Sequence, residues 1–183
     1  MDVALYIFIG VVLLALAFIY NRIIRYKNNA EDAWSNIDVF LKKRYELVPL
    51  LVSTVKAFAM HEEKTMTQVA SARSGAMKAS NETPSLREKV ENELTSSINR
   101  VLFLQEAYPD LKANDSFLKL QMQLADIEQD LERARRYYNA TVRENNTFGS
   151  SFPVNLFSKI MGYRKLEFFS ISGNEAEVQE IEM

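Results

Sequence analysis

An uncharged run of 18 residues, VALYIFIGVVLLALAFIY, occupies residues 3–20 of this 183-residue chain. As a helix that rises about 1.5 Å per residue it spans roughly 27 Å, close to the roughly 30 Å hydrocarbon core of a bilayer. Such a run crosses a membrane, is removed as a signal peptide, or is buried in a protein core. Only the first of these three alternatives attaches the rest of the chain to a membrane.

A membrane anchor explains the run better than a cleaved signal peptide does. No basic residue precedes it, and it continues to Tyr20, past Ala15-Leu16-Ala17, a small-x-small sequence that resembles a cleavage site. Three basic residues follow it: Arg22, Arg25 and Lys27. By the positive-inside rule we predict a single-pass membrane protein with a short N-terminus outside and the main domain in the cytoplasm. Residues 1–27 would form the anchor and its basic flank.

Composition argues against several kinds of site. The chain has no cysteine, which excludes disulfides, thiol catalysis and thiolate metal sites, and it has one histidine, His61. The pair His61-Glu62 resembles the start of a zinc-protease motif, but Thr65 stands where the second histidine is needed, so we interpret His61 as a helix-surface residue. A net charge of −2 is unlike that of a nucleic-acid-binding protein. We predict no enzyme, no catalytic, cofactor-binding or metal-binding residues, no cofactor and no nucleic-acid partner.

The chain beyond the anchor reads as helical. It contains only five glycines and four prolines, and good helix formers fill its middle. One stripe of three- and four-residue steps continues the anchor without a break: Trp34, Ile37, Leu41, Tyr45, Val48, Val52, Val55 and Ala59. Pro49 lies within this stripe, and because the spacing stays in phase beyond it we predict a kink there rather than an end.

Further helices follow after Met60. Helical spacing persists through Met66, Val69, Ala72 or Arg73, and Ala76 or Met77. Thr83 and Pro84 are typical of a helix start, and Asn114 or Asp115 of another. The loop AYPDLKAND separates the two later helices. The apolar stripe of the first consists of Leu86, Val90, Leu94, Ile98 and Val101. The apolar stripe of the second consists of Phe117, Leu120, Leu124, Ile127, Leu131, Ala134, Tyr138 and Thr141. The second stripe is a heptad seam typical of coiled-coil packing, and we expect its helix to end near 147–149. We predict an all-α fold in which the transmembrane helix continues into an antiparallel four-helix-bundle-like domain, residues 28–169.

The C-terminal part lacks the long apolar stripes of the preceding helices. A short amphipathic helix is predicted at 154–161, followed by an extended aromatic end. Residues 170–183 contain four glutamates and no basic residue, which predicts a disordered acidic tail. The aromatic-basic residues of this region, which would suit a membrane interface, are Phe157, Lys159, Tyr163, Arg164 and Lys165.

Three polar clusters have competing interpretations. The run of Glu128, Asp130, Glu132, Arg133, Arg135 and Arg136 lacks the Glu-x-x-His repeats of di-metal bundles, so a solvated face with intrahelical ion pairs is favoured. In the cluster 137–139, Tyr138 lies on the heptad seam, which favours core packing with a hydrogen-bonded hydroxyl over ligand binding. The polar residues of 36–46 spread around the helix, and we expect Asn36 and Asp38 to contact a neighbouring helix.

Seven segments of the chain resemble the bacterial LemA family, in order and in spacing: AWSNIDV, LKKRYELVPLLV, TVKAFAMHE, AYPDLKAN, RRYYNATV, FPVNL and MGYRKLEFF. The resemblance covers nearly the whole chain up to Phe169. Ahead of FPVNL the family usually has a tyrosine before an asparagine, whereas this chain has Asn145-Asn146. A role for a tyrosine at that place is therefore not carried over.

The resemblance implies a single-pass protein of the bacterial inner (cytoplasmic) membrane, with a small tail outside, an antiparallel helical bundle inside and no established catalytic activity. Some relatives take part in magnetosome membrane formation, and others occur beside membrane metalloproteases or repeat-domain membrane proteins. We therefore predict a membrane-anchored scaffold or adaptor that self-associates or gathers membrane partners such as proteases. The alternative is a lipid-interacting protein of membrane remodelling or envelope stress. The expected partners are the lipid bilayer, further copies of the chain and other membrane proteins.

Overall fold

The computed structural model describes residues 2–158 and 162–169, and within these residues the chain is helical and has no β-strand. The predicted all-α class is confirmed. The helices are α1 (Asp2–Lys56), α2 (Glu63–Lys78), α3 (Pro84–Phe103), α4 (Pro109–Lys112), α5 (Asp115–Ser150) and α6 (Val154–Ser158), with short 3-10 turns at Ala79–Asn81 and Leu104–Glu106.

Helix α1 is 55 residues long and carries both the apolar run and the first stripe of the domain. Its N-terminal part is long and apolar enough to cross a membrane, and no side chain of residues 3–18 is buried against the rest of the protein. The helix continues through Pro49, as predicted, and the bend at that residue stays a prediction. The chain then turns at 57–62, so Ala59 is buried beyond the end of α1 rather than within it.

One hydrophobic core joins the helices. Its buried residues come from α1, α2, α3, α4 and α5, and they include Leu41, Val69, Leu94, Leu111 and Leu131. Helix α5 packs along α1 in the opposite direction, because residues further along α1 contact residues nearer the start of α5: Tyr26 contacts Phe148, Trp34 contacts Tyr138, and Arg44 contacts Glu128. Helix α2 packs against both α1 and α3.

Both later helices begin where the sequence placed them. The Thr83 hydroxyl accepts a hydrogen bond from the amide of Leu86 at 3.5 Å, and the Asn114 side chain accepts one from Phe117 at 3.0 Å. These side chains satisfy amides that have no partner within the helix. The predicted loop after Tyr108 contains the one-turn helix α4.

The predicted stripes are buried with few exceptions. The seam of α5 is buried from Phe117 to Thr141 except at Ile127, which is half-buried. The prediction that the apolar stripe of α3 is buried is wrong at Leu86. This residue is 45% exposed because the first turn of α3 extends beyond the core. Helix α5 ends at Ser150, one residue after the predicted limit, and the segment 163–169 is extended, as predicted. The end of the predicted helix 154–161 and the predicted acidic tail 170–183 lie outside the described residues.

Candidate functional site

Three arginines lie inside the domain, where charged side chains are rare. Arg44 is 1% exposed, Arg87 2% and Arg135 8%. Burial of a charge is costly unless an opposite charge and hydrogen bonds compensate it, so each of these arginines requires partners.

Arg44 is held by acidic and polar groups from two other helices. Its guanidinium donates to the fully buried Glu91 of α3, to Glu128 of α5 at 3.0 Å and to the hydroxyl of Thr95 at 2.9 Å. One side chain of α1 therefore ties α1 to both α3 and α5. An apolar residue at this place would allow the helices to slide, whereas these directional bonds fix their register.

The carboxylate of Glu91 also accepts a hydrogen bond from the hydroxyl of Tyr45. Burial raises the pKa of Tyr45 above its usual value, and the negative charge and hydrogen bond of Glu91 raise it further, so the hydroxyl stays protonated and remains a donor. Glu91 thus has two donors from adjacent residues of α1. These contacts give Glu91 a structural role.

A second bridge between helices joins Asp38 to Arg87. The carboxylate of Asp38 lies 2.5 Å from the guanidinium of Arg87, which also donates to the carbonyl of Ser80 at 3.2 Å and stacks over the ring of Trp34 at 5.1 Å. The predicted contact of Asp38 with a neighbouring helix is confirmed. Asn36 is exposed, so the same prediction fails there.

The charge run of α5 is divided between solvent and core. Two exposed intrahelical ion pairs, Asp130–Arg133 and Glu132–Arg136, confirm the prediction of a solvated face. The prediction is wrong for Arg135, whose pKa is lowered by burial and partly restored by Glu128. Residues 135 and 138 share the inner face of the helix, and there Arg135 stacks over Phe169 at 5.1 Å.

The extended segment 163–169, here called the C-terminal strap, is bound to α5 by two asparagines. The side chain of Asn139 donates to the carbonyl of Phe169 at 2.8 Å and accepts from its amide at 2.9 Å. Asn146 makes the same pair of bonds to Leu166, both at 2.9 Å. The two asparagines are seven residues apart and therefore lie on one face of α5. Together they satisfy backbone groups of a segment that has no sheet partner.

Aromatic side chains also bind the C-terminal strap. The hydroxyl of Tyr138 donates to the carbonyl of Glu167 at 2.9 Å, and burial together with the negative charge of Glu167 raises the pKa of Tyr138 to about 12. The ring of Trp34 packs against Tyr138 and Phe169 at centroid distances of 5.0 and 5.5 Å. The predicted core position of Tyr138 is confirmed.

The end of α5, helix α6 and Tyr163 form a second, smaller packing unit, here called the α5–α6 corner (residues 148–158 with Tyr163). Buried Val154 contacts Ile19 and Ile23 of α1, and Phe148 and Tyr163 pack around them. The ring of Tyr163 lies directly over Gly149, where any Cβ atom would fall 2.1 Å from the ring. The corner therefore covers α1 where the helix leaves the apolar run.

The predicted aromatic-basic surface is only partly present at this corner. Tyr163 points inward, where its hydroxyl donates to the carbonyl of Asn145 at 3.2 Å and burial raises its pKa. Arg164 and Lys165 are exposed, as predicted. Lys159 lies outside the described residues. The large exposed apolar side chains of the corner are instead Phe152, 80% exposed, and Leu156, 61% exposed.

Among the described residues no group of three or more histidine, aspartate or glutamate side chains could hold a metal ion. His61 is exposed, but it lies in the turn between α1 and α2 and not on a helix surface as expected. A shallow cavity of about 290 Å³ opens between α3 and α5 beside Arg44 and Glu128. Both charges in its wall already serve the contacts between helices.

The spacing of the residues in the sequence reveals that the charges of the buried network lie on buried helix faces, but it does not reveal which charges pair with each other. Arg44 follows Leu41 by three positions and precedes Val48 by four, so it occupies the buried stripe of α1. Arg87 and Glu91 are likewise spaced to lie on the face of Leu94. A charge within a buried stripe predicts a buried charge, but its partner on another helix cannot be read from spacing.

These features define a class: an all-helical protein with one N-terminal helix long and apolar enough to span a membrane, and a domain whose helices are joined by buried charges. Within that class the chain belongs to the LemA family, whose family model matches residues 33–183. The chain is also similar to the magnetosome protein MamQ of Magnetospirillum gryphiswaldense, with 23% identity over 74 residues. That match covers 40% of this chain and 27% of the length of MamQ.

Proposed function

We propose that this protein is a membrane-anchored scaffold of the bacterial inner membrane, with its main domain in the cytoplasm, which self-associates or gathers membrane partners such as proteases. The observation that carries the proposal is the continuity of α1, which runs as one helix from the apolar segment into the hydrophobic core. A helix shared by anchor and domain holds the surface of the domain at a set height and orientation above the bilayer. A flexible linker would not.

The internal contacts support a structural role. Arg44, Glu91 and Glu128 lock three helices together, and two asparagines bind the C-terminal strap. In this proposal the long helices close into an antiparallel four-helix bundle that presents constant surfaces to partners. The domain needs no catalytic activity to act in this way.

Cross-linking of the full-length chain in native membranes tests the scaffold. We expect cross-linked copies of the chain or specific membrane proteins in the capture, compared with the same chain carrying a flexible Gly-Ser insertion after Lys27. The insertion keeps the anchor and the domain but uncouples them, so the capture should decrease. A protein that is strictly monomeric and captures no membrane protein contradicts the proposal.

Orientation is tested separately. A cysteine introduced at the exposed Met122 is the only thiol, because the chain has none of its own. With the domain in the cytoplasm, a membrane-impermeant maleimide labels it only after the cells are permeabilised. Labelling of intact spheroplasts would place the domain outside.

A second candidate function is remodelling of the membrane or a response to envelope stress. It is favoured by the likeness to a protein named for the magnetosome and by the packing of the α5–α6 corner against Ile19 and Ile23. Full-length protein reconstituted in vesicles should change their size or curvature in cryo-electron micrographs. Vesicles indistinguishable from protein-free ones would contradict this function.

A further inference from the structure

The height of the α5–α6 corner follows from its contacts with α1. If residues 3–20 span the hydrocarbon core, Ile19 lies in the last turn of the spanning segment and Ile23 one turn beyond it. Both are at most 8% exposed, because Val154 and its neighbours cover them. Since a side-chain contact extends only a few ångströms, α6 lies level with the surface of the bilayer.

The surface that the corner presents at this height is apolar. Phe152 is 80% exposed and Leu156 is 61% exposed, and they lie two residues before and two residues after Val154. Large apolar side chains exposed to this extent are unfavourable in water, because removal of apolar surface from water is favourable. At the boundary between headgroups and acyl chains the same side chains find an apolar environment.

The charge around the corner complements an anionic membrane surface. Arg164 and Lys165 follow Tyr163 and are exposed, and α1 adds Arg22, Arg25 and Lys27, the last of which is paired with Glu31 at 3.5 Å. Arg22 is directed along α1 away from the apolar run, because its guanidinium donates to the hydroxyl of Tyr26 at 2.9 Å. Basic side chains next to a spanning helix attract anionic lipid headgroups.

We propose that the α5–α6 corner is seated in the interfacial layer of the membrane that α1 crosses, with Phe152 and Leu156 inserted beneath anionic lipid headgroups. The partner is the lipid surface and not a second copy of the chain, because the corner packs directly against α1 where the helix leaves the apolar run. The domain then has two attachments to the bilayer, α1 and the corner, which together fix its tilt. This inference deepens the second candidate function, on which it rests, by naming the surface that contacts lipid.

Single cysteines in the full-length protein provide the test. Phe152→Cys and Leu156→Cys carry a thiol-reactive fluorophore at the corner, and Phe103→Cys and Met122→Cys carry it at control positions that are 70% and 67% exposed. Met122 precedes Phe148 by 26 residues on α5, about 39 Å along the helix. The vesicles contain phosphatidylglycerol and phosphatidylcholine, with a lipid that bears a nitroxide quencher near its headgroup.

We expect the nitroxide lipid to quench the fluorophores at 152 and 156 and to leave those at 103 and 122 at their full emission. Unchanged emission at 152 and 156 would overturn the proposal, as would equal quenching at all four positions. Emission of Trp34 verifies that each labelled domain is folded. If the corner is quenched while vesicle shape stays unchanged, the remodelling function fails and the lipid-contacting surface remains.

Discussion

Replacement of Glu91 by alanine tests whether the buried charge network holds the helices together. The change removes a fully buried carboxylate that accepts hydrogen bonds from Arg44 and Tyr45. It leaves a guanidinium that is 1% exposed without its nearest counter-charge, and a buried hydroxyl without an acceptor. Removal of one partner from a buried ion pair costs about 3–5 kcal/mol.

The remaining partners of Arg44 place the expected loss near the lower end of that range. Glu128 still lies 3.0 Å from the guanidinium and Thr95 at 2.9 Å, so the stranded charge keeps part of its compensation. We therefore expect Glu91→Ala to lower the free energy of unfolding by about 3 kcal/mol. For a domain of this size that loss lowers Tm by about 6–12 °C.

Trp34 provides the assay for Glu91→Ala. It is the only tryptophan, it lies outside the apolar run, and it packs against Tyr138 and Phe169, so its fluorescence reports unfolding of the domain and not of the membrane segment. Thermal unfolding of the detergent-solubilised full-length protein gives Tm for the wild type and for Glu91→Ala.

A matched control is Glu132→Ala, which removes an exposed i,i+4 ion pair with Arg136 and should cost only about 0.3–0.5 kcal/mol. If Glu91→Ala is no more destabilising than Glu132→Ala, the buried network does not stabilise the domain and the argument is wrong.

Three further changes probe the C-terminal strap and the corner. Gly149→Ala places a methyl group against the ring of Tyr163, so we expect a loss of about 1–3 kcal/mol and a lower Tm; an unchanged Tm would refute the close approach. Asn146→Ala removes both hydrogen bonds to Leu166, worth about 2 kcal/mol together, and should speed hydrogen exchange in the strap while the rest of α5 keeps its protection. Burial raises the pKa of Tyr138 from 10.0 to about 12, so its contribution to stability is complete below pH 10 and is lost as pH rises through 12, by up to about 3 kcal/mol. Unfolding midpoints measured from pH 9 to 12 should therefore decline less steeply in Tyr138→Phe than in the wild type, and parallel curves would contradict this assignment.

Local chemistry determined most of the helices. Thr83 and Asn114 are side chains that satisfy free amides at a helix start, and their effect does not depend on the rest of the fold. The seam of α5 was readable for a related reason: burial of one face of a helix requires apolar residues at three- and four-residue steps. Leu86 shows the limit, because a residue in phase with a stripe is exposed when the turn that carries it extends beyond the core.

Partners across helices could not be predicted in the same way. Arg44 is one of several charges between residues 36 and 46, and only the packing of α3 and α5 against α1 distinguishes it from its exposed neighbours Lys42 and Lys43. The same holds for Tyr163, whose aromatic-basic surroundings are typical of a membrane interface. The absence of a side chain at Gly149 allows its ring to turn inward instead.

By itself the sequence determined an apolar helix of membrane length, its direct continuation into a helical domain, and the seams by which that domain is built, because each depends on residues near one another in the chain. The tertiary structure decided which charges are buried, where the strap is bound, and that Phe152 and Leu156 face outward beside the end of the apolar run of α1. Those outcomes depend on contacts between residues about 20 to 135 positions apart, such as Asn146 with Leu166, Arg44 with Glu91, and Ile19 with Val154. Hydrophobic periodicity orients one helix toward a core, but only the packed helices determine which side chains meet there.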